Sequence, residues 1–211
     1  MQVLVAGSHG QVGQHVTKLL AESAHDVRGM VREASQVADI EALGAEAVVA
    51  DLTEDVTHAV DGCDAVVFAA GSGGDDVWGV DRDGAVNLVE AAEAHGVERF
   101  VMLSSLGADS PADGPEALRE YLRAKAEADD RLRESELTYT IVRPGRLTNE
   151  EGTGRIRTGA DIDPDGDVPR EDVARTLVTA LTAERTYGVT FEMLGGDDAI
   201  EDALANPLGE D

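Results

Sequence analysis

The sequence predicts an α/β domain built on one doubly wound, parallel sheet with helices on both faces. Short apolar runs alternate with helical patterns along the whole chain. The first run, Met1-Gln2-Val3-Leu4-Val5-Ala6, leads straight into Gly7-Ser8-His9-Gly10-Gln11-Val12-Gly13 and then a helical pattern. At 211 residues the chain is long enough to bury one real core. Parallel neighbours need crossover connections, and helices between strands supply them.

In chain order, strand 3–6 precedes helix 11–23, which carries Val12, Val16, Leu19 and Leu20 on one face. Strand 26–31 and helix 33–43 follow, the helix stopped by Gly44. Strand 47–50, a short helix at 55–60 and strand 65–69 come next, then a glycine-rich loop at 71–79. Helix 83–95 stops at Gly96, ahead of strand 99–103 and a long helix at 115–135. Strand 139–142 is stopped by Pro144-Gly145. An irregular stretch at 149–169 separates it from helix 170–183 and a last strand at 190–194; loops of that length are usually functional or mobile. The expectation is a single Rossmann-type domain over 1–211, with residues from about 145 onward forming a small substrate-covering segment.

In such a sheet ligands bind at the carboxyl ends of the strands, near the switch in strand order. Those ends carry Gly7, Arg32, Asp51, Ala70-Gly71, Ser104-Ser105 and Pro144-Gly145. Gly7 suits a tight turn, Gly10 close approach to a phosphate, and Gly13 close helix–strand packing. A helix N-terminus behind such a turn offers free N–H groups and a favourable dipole to a pyrophosphate. The expected ligand is a dinucleotide held by Gly7, Ser8, His9, Gly10, Gln11, Val12 and Gly13.

The end of the second strand separates NADP from NAD. NAD favours an acidic residue on the ribose hydroxyl, whereas the NADP 2′-phosphate calls for a cation. Arg32 stands there and favours NADP(H) over NAD(H), although the neighbouring Glu33 could turn in and serve NAD. Asp51-Leu52 could flank an adenine, or Asp51 could serve only a turn. Ala69, Ala70 and Gly71 leave room for a ribose, or reflect packing.

Tyr121 and Lys125 lie four apart in the long helix, on one face. A free phenol has a pKa of about 10, and a nearby ammonium favours its ionised form. The pair can then exchange a proton with a reacting oxygen. Lys125 is one of two lysines, with Lys18, in a chain that otherwise uses arginine. Ser104 and Ser105 end the fifth strand; one hydroxyl, with Ser105 preferred, could stabilise that oxygen, or both could cap the next turn. Trp78 either lines the pocket or anchors its loop on the core. The five histidines show no metal-ligand spacing, and no metal site is expected.

Forty-three acidic residues against 17 basic give a net charge of −26, spread along the chain. That suits high salt, where at about 1 M the Debye length is only ~3 Å and self-repulsion is screened. It argues against nucleic acid and anionic membranes as partners. The single Cys63 excludes an intramolecular disulfide, and no apolar run approaches a membrane span. With no signal peptide ahead of the first strand, a cytoplasmic location is expected.

Gly7-x-x-Gly10-x-x-Gly13, Tyr121-x-x-x-Lys125 and Ser105 together resemble the short-chain dehydrogenase/reductase superfamily. The segments 101–105, 139–145 and 170–174 are similar to its atypical, NmrA-like and epimerase-like NAD(P)-binding subgroup, and a halophilic source would match the composition. The resemblance covers nearly the whole chain. It implies an NAD(P) cofactor, Ser105, Tyr121 and Lys125 at the catalytic positions, and Lys125 holding the nicotinamide ribose; Ser104 and Pro144 complete the expected cofactor contacts. The chain departs from the sugar-nucleotide epimerases in lacking their larger C-terminal substrate domain, so a small carbonyl or alcohol substrate is expected. Alternatives are a redox-sensing cofactor binder without turnover, or a flavin or quinone reductase.

Overall fold

The computed structural model describes residues 1–209. Its central sheet has nine strands: β1 (Gln2–Ala6), β2 (Asp26–Val31), β3 (Glu46–Val49), β4 (Ala65–Phe68), β5 (Arg99–Leu103), β6 (Thr138–Pro144), β8 (Arg155–Gly159), β10 (Val189–Gly195) and β11 (Asp198–Ala199). A separate two-stranded ribbon pairs β7 (Arg146–Thr148) with β9 (Asp167–Pro169). The order is β11-β8-β10-β6-β5-β4-β1-β2-β3. The sheet grows outward in both directions from β1 and β4, which makes the boundary between them the switch point.

Strand residues alternate between two cores. Val3 and Val5 of β1, with Val101 and Leu103 of β5, pack under α1 (Gln11–Ala21) and α6 (Arg170–Ala180). Leu4 and Ala6, with Phe100 and Met102, pack under α3 (Thr57–Val60), α4 (Ala85–Ala94) and α5 (Arg119–Arg133). This period of two is the geometry of a strand buried on both faces. Leu20 and Leu132 are fully buried, one on each side. Truncating either to alanine would cost roughly 2–5 kcal/mol. Two short helices, α2 (Val37–Ala42) and α7 (Ile200–Ala205), complete the set.

Three expectations are corrected. The stretch 149–169 is not irregular: it contains β8 and β9, and β8 runs antiparallel to β10, so the sheet is mixed. Only Ile156 and Gly159 of β8 are buried, so the strand lacks the apolar alternation that would betray it. The loop 71–79 is cut short by a π-helical segment, Val77–Gly84, that runs into α4. A π-helical widening of this kind leaves no periodic trace and recurs at functional sites. Helix 115–135 opens as a 3₁₀ turn at Glu116–Leu118 and is α-helical only over α5.

The segment 170–174 anchors the backbone. Asp172 is fully buried at the start of α6, and its carboxylate accepts the N–H groups of Thr153 and Gly154, each at 2.8 Å. Glu171 accepts the Gly152 N–H at 2.9 Å, which holds its carboxyl below the usual range. Charge-assisted bonds of this type tie the chain between β7 and β8 to the helix. Among the described residues no helix is long and apolar enough to cross a membrane, and no group of three or more possible metal-ligating side chains occurs.

Candidate cofactor and substrate cleft

A cleft of about 870 Å³ runs along the carboxyl ends of the strands, from Ala50, Asp51 and Leu52 beyond β3 to Pro144 and Gly145 at the end of β6. Six adjacent strands lie between those limits. At about 4.8 Å per spacing they span roughly 24 Å, room for an extended dinucleotide. The cleft crosses the switch point where the glycine turn sits.

Gly7 adopts φ +79°, and a Cβ there would lie 2.5 Å from the Ala70 Cα. A Cβ on Gly13 would lie 2.0 Å from the Gly7 carbonyl oxygen. Both positions therefore require glycine, one for the turn and one for the close packing of α1 on β1. Gly10 is exposed, and a Cβ there would come no closer than 3.1 Å to a neighbour. As N-cap of α1 it provides no side-chain cap, and the first turn carries no acidic residue. The helix end thus keeps uncapped N–H groups facing the cleft, which fits a pyrophosphate. Gly7, His9, Gly10, Gln11 and Val12 line the cleft. Ser8 and Gly13 do not; the buried Ser8 hydroxyl donates to the Met30 carbonyl at 2.8 Å and stitches the turn to β2.

At the β2 end, Arg32 lines the cleft with its side chain about two-thirds exposed, and its only ion-pair partner among the described residues, Glu33, is 3.9 Å away. Glu33 faces elsewhere. Its side chain forms a reciprocal capping box with Gln36 at the 3₁₀ turn Ala34–Gln36 and accepts the Ser35 hydroxyl. The arginine is thus free for a ligand and the competing carboxylate is engaged. His9 is held by Asp39 at 3.0 Å and by Gln36 at 3.3 Å. Asp51 lines the cleft, but its Oδ1 accepts both the N–H and the hydroxyl of Thr53, which hold its carboxyl below the usual range. That is the turn role; Leu52 beside it is largely buried. Ala69, Ala70 and Gly71 line the middle of the cleft.

At the β5–β6 end the structure brings Ser104, Ser105, Tyr121, Lys125 and Pro144 together. The two serines divide. Ser104 is buried and donates to Asp129 Oδ2 at 2.9 Å, whereas Ser105 makes only a long 3.4 Å contact with the Leu106 carbonyl. Tyr121 is half-buried on the cleft wall, and its hydroxyl has no hydrogen-bond partner among the described residues. The Lys125 ammonium lies 5.7 Å from the Tyr121 ring centre and 5.6 Å from that of Phe68, and donates to the Leu103 carbonyl at 3.4 Å. Trp78 fills neither expected role: it is exposed and lies outside the cleft lining.

Sequence reasoning missed Asp81. It sits in the π-helical segment, fully buried, with Oδ1 3.2 Å from Lys125 Nζ. Its Oδ2 accepts the Ser72 N–H at 3.1 Å and the Ser72 hydroxyl at 2.6 Å. One carboxylate therefore joins the loop after β4 to the lysine of α5. No spacing rule links those positions, and the π-helical geometry that turns Asp81 inward leaves no sequence signal.

The chain resembles known proteins over nearly its full length. A family model described as NAD(P)H-binding matches residues 7–184. The uncharacterized sugar epimerase YhfK of Bacillus subtilis is 43% identical over 212 residues, covering 97% of this chain and 99% of that protein. A Bacillus halodurans protein classed provisionally as an NAD-dependent epimerase/dehydratase superposes with a TM-score of 0.94 at 41% identity, over 97% of this chain and 99% of its own. The oxidoreductase ylbE of Lactococcus lactis gives 0.89 at 33% identity, over 97% and 95%. With an uncapped glycine turn at the switch point and a match over most of its length, the chain belongs to the NAD(P)H-binding family of Rossmann-type, epimerase/dehydratase-like proteins.

Proposed function

We propose that this chain is an NADP(H)-dependent oxidoreductase of the atypical short-chain dehydrogenase/reductase type, acting on a small carbonyl or alcohol. The observation that carries the reading is the pairing, in one cleft, of the uncapped glycine turn with a Tyr121 hydroxyl free of internal partners. The preference for NADP rests on Arg32 being unengaged while Glu33 caps its own turn. A guanidinium at that place suits a 2′-phosphate.

When bound, the reduced nicotinamide supplies the hydride. Tyr121 donates the proton to the substrate oxygen, and the Ser105 hydroxyl donates a hydrogen bond to the same atom as negative charge builds on it. Lys125, fixed by Asp81 and lying over the Tyr121 ring, would hold the nicotinamide ribose hydroxyls. Its charge is shared with a buried carboxylate, so it positions more than it acidifies. The name of the Lactococcus relative supports an oxidoreductase. Steady-state turnover of a carbonyl panel with NADPH tests the reading: Tyr121→Phe should lower kcat by roughly 10²–10⁴ and leave NADPH affinity unchanged.

A second reading is favoured by the Asp81–Lys125 pair itself. A lysine already neutralised suits an acceptor that takes hydride without a protein acid, such as a flavin or quinone; Tyr121→Phe would then keep its turnover. The spread of acidic residues further suits a cytoplasm of molar salt, and thermal melting against KCl should show stability rising with concentration.

A further inference from the structure

We infer that the substrate end of the cleft selects uncharged or cationic substrates and rejects anionic ones. This deepens the proposed oxidoreductase reading and rests on it for the cofactor's direction in the cleft. Apolar side chains of the segment after β4 (Val77, Val80), the turn before α5 (Ala117, Leu118) and β7 (Leu147) line the cleft beside Tyr121, and Leu118 is half exposed. The charged side chains that line the cleft from the segment after β4 and from α5 are Asp75, Asp76, Asp81, Glu120 and Lys125. Lys125 is committed to Asp81 at 3.2 Å, both fully buried, so neither presents a net charge. Asp75, Asp76 and Glu120 are exposed. Asp76 Oδ1 accepts the Gly79 N–H, and among the described residues no ion pair engages any of the three.

The other cations close by in the fold lie outside the cleft lining: Arg82 is tied to Asp83 and Glu127, and neither Arg119 nor Arg123 lines the cleft. The cleft's unengaged cation, Arg32, stands at its opposite end, four strands from β6. A phosphate, sulfonate or carboxylate on the substrate would therefore meet three exposed carboxylates and no available cation in that part of the lining, a repulsion that solvent and salt screen only in part.

Matched probe pairs test this: riboflavin against FMN, and menadione against a naphthoquinone sulfonate. Each pair shares a ring system and differs in charge. Equilibrium dialysis of each probe against the full chain saturated with NADP⁺ should show the uncharged member binding about 3- to 10-fold more tightly, as expected for a few partly screened charges. Asp75→Asn with Glu120→Gln should shrink that ratio by tightening the anionic member alone. Glu184→Gln with Glu201→Gln, an equal change of net charge at exposed sites outside the cleft lining, should leave it intact. Equal affinity within the pairs, preference for the anionic members, absence of binding by both uncharged probes, or equal effects of the two double variants would overturn the inference. A separate calorimetric titration with NADP⁺ reports on the cofactor reading. Charge preference without NADP⁺ heat would keep the first and remove the second.

Discussion

Two buried ion pairs flank the end of β5, and α5 contributes to both. Lys125 meets Asp81 on the cleft side; one turn further along, Asp129 meets Arg143 on the inner side. Tyr121, Lys125 and Asp129 form one i, i+4, i+8 stripe that passes from half-buried to fully buried. The inner pair is sealed. Arg143 Nε and Nη2 donate to Asp129 Oδ2 at 2.9 and 2.8 Å, Ser104 donates to the same oxygen, and Asp109 reaches Arg143 from outside. Burial pushes the Asp129 carboxyl up, while Arg143 and Ser104 pull it down. The outer pair is as deeply buried but lines the cleft. Burial of charge therefore does not mark a site in this protein; access to the cleft does. The inner network still has a functional consequence, since it consumes the Ser104 hydroxyl and leaves Ser105 for a ligand.

Breaking the inner pair should have the largest effect. Arg143→Leu strands the Asp129 carboxylate in the core and should cost about 3–5 kcal/mol of unfolding free energy, measured by denaturant titration. Breaking the outer pair should cost less stability and more function. Asp81→Asn leaves Lys125 an amide oxygen and nearby cleft water, so about 1–3 kcal/mol is expected, together with a weaker NADPH affinity by calorimetry. If the stability losses came in the reverse order, access to water would not be what separates the pairs. Ser72→Ala removes the hydroxyl donor to Asp81 Oδ2 and keeps the backbone N–H tether; roughly 1 kcal/mol is expected, with its Tm shift read in the same melts.

The smallest effect concerns acid. Hydrogen bonding to Arg143 holds the Asp109 carboxyl below its ordinary value. A depressed carboxylate contributes stability that is full above its unfolded pKa of about 3.9 and is lost as pH falls through the lower folded value. Asp109→Asn should therefore lower stability slightly at neutral pH, with the difference from the parent vanishing as pH falls below about 4, as followed by melting temperature against pH.

The legible parts of the fold were those with local causes. The glycine spacing, the apolar strands β1, β2, β4 and β5, and the amphipathic α1 follow from sterics and periodicity within a few residues. The Tyr121–Lys125 juxtaposition followed from helix geometry alone. β8 escaped because its pairing with β10 is supplied by a distant strand, with Ile156 its one large apolar side chain in the core. Asp172 read as part of a motif, but its task of gathering the Thr153 and Gly154 amides exists only once α6 has docked.

By itself the sequence determined the doubly wound layout, the glycine turn and the tyrosine–lysine face, because backbone sterics and side-chain period act over short range. Tertiary structure alone decided which serine stays available and which carboxylate neutralises Lys125. Those outcomes depend on where distant segments come to rest, and a buried charge takes whatever partner the packed chain delivers to it.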